Sequence, residues 1–277
     1  MMRRHVAFLH RPDLGLWIPA VLLGVVFLVA LFGPMLAPYN PDEINHLAVL
    51  QAGSLAHPLG TDEFGRDLLS RLLTGIRPTM AVAFGSTALA AVGGVTLGLL
   101  AGFWGNLPEI LVMRTCDILL SFPPILLALL VVGFWPSGIA TLTITIGLIY
   151  VPHFARVAHA ATIGVVYQEF VEAERAMGAG AGRLLLRDVL PNILSSLVVQ
   201  ATLTVAAAIL LESGLSFLGL GIKPPTASWG QMIGIARGYL AQNPMYTFWP
   251  SLCLAVTVLA INLLGDRLRD ILDPQTI

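Results

Sequence analysis

The sequence predicts an all-α, polytopic membrane protein of six transmembrane helices with both termini in the cytoplasm. Composition is the first reason: 56% of the residues are hydrophobic and 11% charged, where soluble domains average about 25% charged, and the mean hydropathy is +0.83. The second is six apolar runs, at about 16–36, 80–103, 111–134, 139–158, 193–211 and 248–264, each near the roughly 20 residues that cross a bilayer. The third is arginine placement. With six spans, Arg3, Arg4, Arg11, Arg114, Arg156, Arg175, Arg183, Arg187, Arg267 and Arg269 fall on one side, and Arg66, Arg71, Arg77, Lys223 and Arg237 on the other. The richer side is cytoplasmic by the positive-inside bias.

Taken in order, the first run has the length of a full span, lacks a small-residue cleavage pattern and exits through Pro34, Pro38 and Pro41. It is read as an uncleaved helix. From Thr61 onward, Phe64, Leu68, Leu72 and Leu73 share one helical face, with Asp67 four residues before Arg71 on the other. That pattern predicts an amphipathic helix lying at the outer interface. In the second span Ala90, Gly94, Gly98 and Gly102 recur every four residues. Such a stripe lets two backbones approach where lipid supplies no hydrophobic drive, within the subunit by preference and at a subunit interface as the alternative.

Between the fourth and fifth runs lies a polar island, 169–192, EFVEAERAMGAGAGRLLLRDVLPN. Residues 169–177 favour a helix, Gly178, Gly180 and Gly182 interrupt it, 183–190 can resume a short one, and Pro191 with Asn192 is expected to stop it before the fifth span. Beyond the fifth run, 213–240 is too rich in Gly and Pro for one helix and too apolar for a solvated loop. Short helices folded back onto the membrane domain are expected there, packing or capping a pathway. The organisation is therefore 1–79, tail, first span and external segment; 80–266, five-span core; and 267–277, cytoplasmic tail.

Several function classes are excluded. A net charge of −1 offers no basic surface for nucleic acid. The sole lysine, Lys223, follows Ile222, so there is no phosphate-cradling G-x-x-x-x-G-K loop and any ATP dependence belongs to another subunit. His5, His10, His46, His57, His153 and His159 show no metal-ligand spacing, His153 and His159 reading as polar helix-end residues. Cys116 and Cys253 sit in or beside apolar runs and read as reduced thiols. Asp117, Glu212 and Asp266 fall near span ends, which argues against a proton-coupled carrier or an intramembrane protease and favours structural roles for Asp117 and Glu212.

The island resembles the ATPase-coupling loop of binding-protein-dependent ATP-binding-cassette (ABC) importer permeases. It carries Glu172 and Ala173, with Glu174 where a second alanine is usual, then Gly178, Leu190 and Pro191 at the expected spacing; Asp188 stands where many permeases have isoleucine. Segments 57–79, 113–129, 216–233 and 262–274 are similar, in order, to the second permease subunit of dipeptide, oligopeptide and nickel importers, the first of them containing Gly60, Thr61, Asp62, Gly65, Arg66 and Asp67. The resemblance implies a type I importer fold in the bacterial inner membrane. It further implies a homologous permease partner forming a heterodimer, two cytoplasmic ATPases that hold ATP and Mg, an extracytoplasmic solute-binding protein, and no catalytic residue, metal or cofactor on this chain. Peptide is the expected cargo and nickel the runner-up. A secondary transporter would show inverted repeats and a midplane ion site, and a membrane enzyme a buried nucleophile with its base; neither is apparent.

Overall fold

A computed structural model describes residues 14–272. Expectations for Arg3, Arg4, Arg11, His5, His10 and the last five residues lie outside it. The helices are α1 Leu14–Leu36, α2 Leu68–Trp104, α3 Asn106–Leu120, α4 Pro124–Phe134, α5 Ile139–Val166, α6 Glu169–Ala176, α7 Ala181–Arg183, α8 Leu190–Phe217, α9 Trp229–Ala236 and α10 Pro244–Leu272. Five of them, taking α7 and α8 together, are long and apolar enough to cross a membrane. A sixth crossing exists if α3 and α4 count as one.

That third span differs from the straight helix expected at 111–134. The chain bends by 88° between α3 and α4. Phe122 precedes Pro123, and a residue before proline is pushed out of the α region; Pro123 and Pro124 also bring no N–H to continue the ladder. Ser121 closes the end of α3 by donating its hydroxyl to the Asp117 carbonyl at 2.8 Å.

At the centre, α2 runs parallel to α5, with the glycine stripe in the seam. A Cβ on Gly94 would lie 2.5 Å from the Val151 carbonyl oxygen, one on Gly98 2.5 Å from that of Ala155, and one on Gly102 2.8 Å from the Thr162 side chain. The stripe thus serves packing inside the chain. Gly98→Val should force the helices apart and lower stability by about 1–3 kcal/mol, the usual cost of overpacking, read as an earlier thermal unfolding transition. Gly133, with nothing within 4 Å of its Cβ position, is the control that should tolerate alanine.

α2 begins well before residue 80. Asp67 caps it, accepting from the Ser70 backbone N–H at 2.8 Å, and 37 residues at about 1.5 Å each exceed the roughly 30 Å hydrocarbon layer. The segment expected to lie flat at the interface is instead the protruding first turns of a spanning helix. Leu68 and Leu72 are buried as the pattern implied, but so are Asp67 and Arg71, while Phe64 is exposed. Charge neutralisation, described below, overrides the amphipathic pattern.

α1 attaches through a proline defect. Pro34 cannot donate to the Ala30 carbonyl four residues back, and Arg77 of α2 supplies the donor, with Nε to Ala30 O at 2.9 Å and Nη2 to Leu31 O at 3.2 Å. His153 sits mid-helix, not at a helix end, because α5 continues to Val166. His159 lies 3.0 Å from Glu109 of α3, and Arg156 is 3.4 Å from Asp117 across the same pair of helices. Cys116 and Cys253 are free thiols.

After α8 the chain turns back, and α9 packs along it. A Cβ on Gly230 would fall 2.5 Å from Ser213 Cα, and one on Gly234 2.7 Å from the Phe217 carbonyl. Trp229 is buried and its indole N–H reaches the Leu72 carbonyl at 3.1 Å. Glu212, fully buried, accepts from Ser216 Oγ at 2.7 Å and Ser213 Oγ at 3.4 Å. Thr79 of α2 and Ser228, which precedes α9, lie near it. Hydroxyls of its own helix satisfy this carboxylate, as hydrocarbon surroundings require, where α2, α8 and the segment leading into α9 meet.

Candidate coupling site

The island folds at the end of the bundle where α2 and α5 finish. α6 presents Glu172 and Ala173 outward and sinks Val171 inward. Arg175 lies over the Phe103 ring, 5.6 Å from its centroid, tying the island to the end of α2. Gly178 then turns the chain with φ of +86°, a left-handed conformation that glycine adopts without steric cost. The Met177 and Gly178 N–H groups bond back to the Ala173 and Arg175 carbonyls, and Ala179 N–H to that of Glu174, so α6 ends in a closed, hydrogen-bonded turn. Glu174, half-buried, meets Arg183 at 3.3 Å, pinning the two arms of the turn. Of the three glycines, only Gly178 needs its special backbone: Gly180 is extended and Gly182 lies within α7.

The second arm does not stop where proline was expected to stop it. Leu184–Val189 forms a π-helical segment that passes into α8 without interruption, and Leu190 N–H donates to the Leu185 carbonyl five residues back. Pro191, which has no N–H, stands within the first two residues of α8, where a missing donor is tolerated. Asn192 donates through Nδ2 to the Asp188 carbonyl at 2.5 Å, satisfying an acceptor near the junction. Leu190 is half-buried and Pro191 exposed.

The result is a two-sided element. Val171, Leu184, Leu185 and Val189 face the bundle and are buried, whereas Phe170, Met177 at 75% exposure and Leu186 at 66% project outward among Glu172, Arg175 and Arg187. An exposed apolar knob amid charges is the composition of a docking surface. The sequence reasoning singled out Glu172, Ala173, Glu174, Gly178, Leu190 and Pro191 and missed Phe170, Met177 and Leu186. Their signal was a hydrophobic residue on the face opposite the buried one in each arm.

The second predicted group, Gly60, Thr61, Asp62, Gly65, Arg66 and Asp67, lies at the other end as a buried knot. Asp62, with no exposure, accepts from Arg66 Nε at 2.6 Å and from the backbone N–H groups of Phe64 and Arg66, both at 2.9 Å. Arg71 Nε stands 3.4 Å from the same carboxylate, and Glu63 receives Arg66 Nη2 at 3.0 Å. Thr61 pairs with Asp67 across an isolated antiparallel bridge and donates its hydroxyl to the Ala48 carbonyl. Asp67 also holds His57 Nδ1 at 3.0 Å. Gly60 and Gly65 adopt φ of +87° and +76°, with their Cα atoms against the backbone of 51–53 and of Asn45. Tyr246 donates to Glu63 at 2.5 Å, fastening α10 to the knot. Its groups neutralise one another, so its role is structural. Among the described residues no cluster of metal-ligating side chains could hold an ion.

Comparison with known proteins identifies the family to which this architecture belongs. Residues 94–277 match the family model "Binding-protein-dependent transport system inner membrane component", and 16–53 match "N-terminal TM domain of oligopeptide transport permease C". The chain is 42% identical to the di/tripeptide transport system permease protein DppC of Pseudomonas aeruginosa, covering 92% of this chain and 86% of that one. It is 38% identical to the glutathione transport system permease protein GsiD of Pectobacterium atrosepticum, over 99% and 88%. Among solved structures, an inward-facing MetNI methionine ABC transporter superposes with a TM-score of 0.59 at 25% identity, covering 73% of this chain and 96% of that chain. A helical, multi-pass fold with a two-sided polar element between its fourth and fifth spans, matched over most of its length, places this chain in the family of binding-protein-dependent ABC transporter permeases.

Proposed function

We propose that this chain is the permease subunit of an ATP-driven, binding-protein-dependent importer that carries di- and oligopeptides across the bacterial inner membrane, with its termini and the 169–192 element in the cytoplasm. The observation that carries this reading is the continuity of the island with α8: a push on the exposed face of α6 passes through the Gly178 turn and the π segment directly into a spanning helix. π segments recur at functional sites in helices. One of two cytoplasmic ATPases would seat Glu172, Met177 and Leu186 in a groove. ATP and Mg would be held by those subunits and not by this chain. A homologous permease would complete a heterodimer, and a solute-binding protein would dock at the outer end.

Closure of the ATPases around ATP would stabilise one arrangement of α8 and its neighbours and hydrolysis the other, so access alternates because each nucleotide state favours a different conformation. Peptide cargo is supported by what the relatives' names say those proteins carry.

The test is uptake into proteoliposomes holding the whole assembly and its binding protein, with labelled di- and tripeptides compared against nickel complexes. Peptide accumulation only with ATP is the expected outcome. Uptake of nickel alone would keep the mechanism and replace the cargo, and uptake without ATP would overturn the importer reading.

A further inference from the structure

A cavity of about 290 Å³ opens between the end of α8 and the returning α9, bounded by Ser216, Phe217, Lys223, Gln231 and Arg237 among others. Its polar groups divide into committed and free. The Ser216 hydroxyl is committed: it donates to Glu212 and accepts the Ile222 N–H at 3.3 Å. Gln231 is free. It is 5% exposed, yet neither its amide nitrogen nor its amide oxygen has a hydrogen-bond partner, an arrangement that costs free energy unless a ligand completes it.

Two cations stand at the same cavity. Lys223, the chain's only lysine, forms no hydrogen bond or ion pair among the described residues. Arg237 is held with its guanidinium 4.9 Å from the centroid of the Phe217 ring and likewise has no acidic partner. Donors predominate: an ammonium, a guanidinium and the two N–H groups of one amide. A single acceptor, Gln231 Oε1, stands beside them. The complementary ligand is an anion with an N–H next to it, and two like charges exclude a cationic terminus.

We propose that this cavity is a subsite for the carboxyl-terminal end of a peptide in transit. The carboxylate is held by Lys223 and Arg237, and the Gln231 amide takes the hydrogen-bonding groups of the last peptide unit. The volume suits one or two terminal residues and not a whole oligopeptide, so the site orients the chain end while the rest of the cargo varies. This inference rests on the peptide-importer reading and on the α8–α9 turn facing the outside.

Two variants separate it from structural roles. Gln231→Leu replaces a partnerless amide by an apolar group of similar size, which should leave folding unharmed, and Lys223→Gln alters an exposed side chain. The whole permease–ATPase assembly, in nanodiscs and without binding protein, is labelled with a photoreactive tripeptide and competed with a tripeptide or its carboxyl-terminal amide. For the unaltered assembly the free acid should compete about tenfold better than the amide, the worth of one charge-assisted contact. Lys223→Gln should bring that ratio close to one, and Gln231→Leu should weaken competition by acid and amide alike, with label in 216–237 diminished in each.

Equal competition by acid and amide in the unaltered assembly, an undiminished preference in Lys223→Gln, or unchanged competition by both peptides in Gln231→Leu, overturns the subsite. So does loss of binding-protein-stimulated ATP hydrolysis in the variants with tripeptide labelling intact, because the cations then receive a carboxylate of the binding protein. ATP-driven peptide uptake by the same unaltered preparation is measured in parallel, so failure of the subsite is distinguished from failure of the importer reading.

Discussion

Replacing Gly178 by valine is expected to abolish ATP-driven uptake while the protein still reaches the membrane. The backbone there has φ of +86°, where a Cβ costs about 1–2 kcal/mol and a β-branched side chain more. Nothing lies within 4 Å of the Cβ position. The penalty is therefore conformational, not a clash, and the folded bundle should tolerate it. What changes is the turn that joins the arm carrying Glu172 and Met177 to the arm carrying Leu186. A bias of about 1–2 kcal/mol against the native turn shifts its population by about five- to thirtyfold, so Gly178→Ala should lose roughly that factor in coupled transport, with valine worse. Aspartate, which tolerates this backbone better than alanine, acts chiefly through the charge it adds and should also abolish uptake.

Gly182 supplies the control. It is equally exposed and equally free of neighbours, but it sits within α7 without a positive φ, so Gly182→Ala should transport normally. Uptake and binding-protein-stimulated ATP hydrolysis, measured together, are the readout. Equal losses at both glycines would show that the element needs bare backbone along its length and not a turn at Gly178.

Changing Asp62 to asparagine is expected to destabilise the buried charge knot by about 3–5 kcal/mol, the cost of stripping one partner from a buried ion pair. Asp62 faces Arg66 at 2.6 Å and Arg71 at 3.4 Å, with both cations inside the protein. Glu63 still compensates Arg66, but Arg71 would retain only the Pro41 carbonyl at 3.0 Å and Asp42 at 3.4 Å. Asp42 is about half exposed, so Asp42→Asn should cost below about 1 kcal/mol. Thermal unfolding of the assembled complex in nanodiscs should separate the two variants by several degrees; coincident transitions would mean that burial does not hold the knot. Because Tyr246 and Glu63 join α10 to this knot, the loss should also loosen the start of α10, seen as faster amide exchange in 244–250.

Hydropathy made the six apolar runs legible, since each needs only length and composition to declare itself. The glycine stripe was legible for a related reason: a four-residue period of small side chains specifies a close helix contact, although only the fold shows that α5 fills it. The break of the third span was written in Ser121-Phe122-Pro123-Pro124 and overlooked, because hydropathy is blind to a missing N–H. Pro191 misled in the opposite direction: proline ends a helix only when its place in the ladder needs a donor, and the π segment before it lets the ladder continue.

At the 57–79 motif, the period of Phe64, Leu68, Leu72 and Leu73 predicts a surface helix with Asp67 and Arg71 in water. A period tells which residues share a face, not what covers the other one. Here the covering groups, Asp42, Asp62, Arg66 and Tyr246, come from three stretches of chain, and their mutual neutralisation makes burial affordable.

The sequence by itself determined the membrane class, the number of apolar runs, the polar island and the family its motifs resemble, because each depends on composition or on spacing within one segment. Only the tertiary structure decided where charge is buried, which face of the island remains open, and that Gln231, Lys223 and Arg237 share one cavity. Those outcomes depend on groups far apart in the chain meeting at hydrogen-bonding distance or around one space, and no local pattern encodes such a meeting.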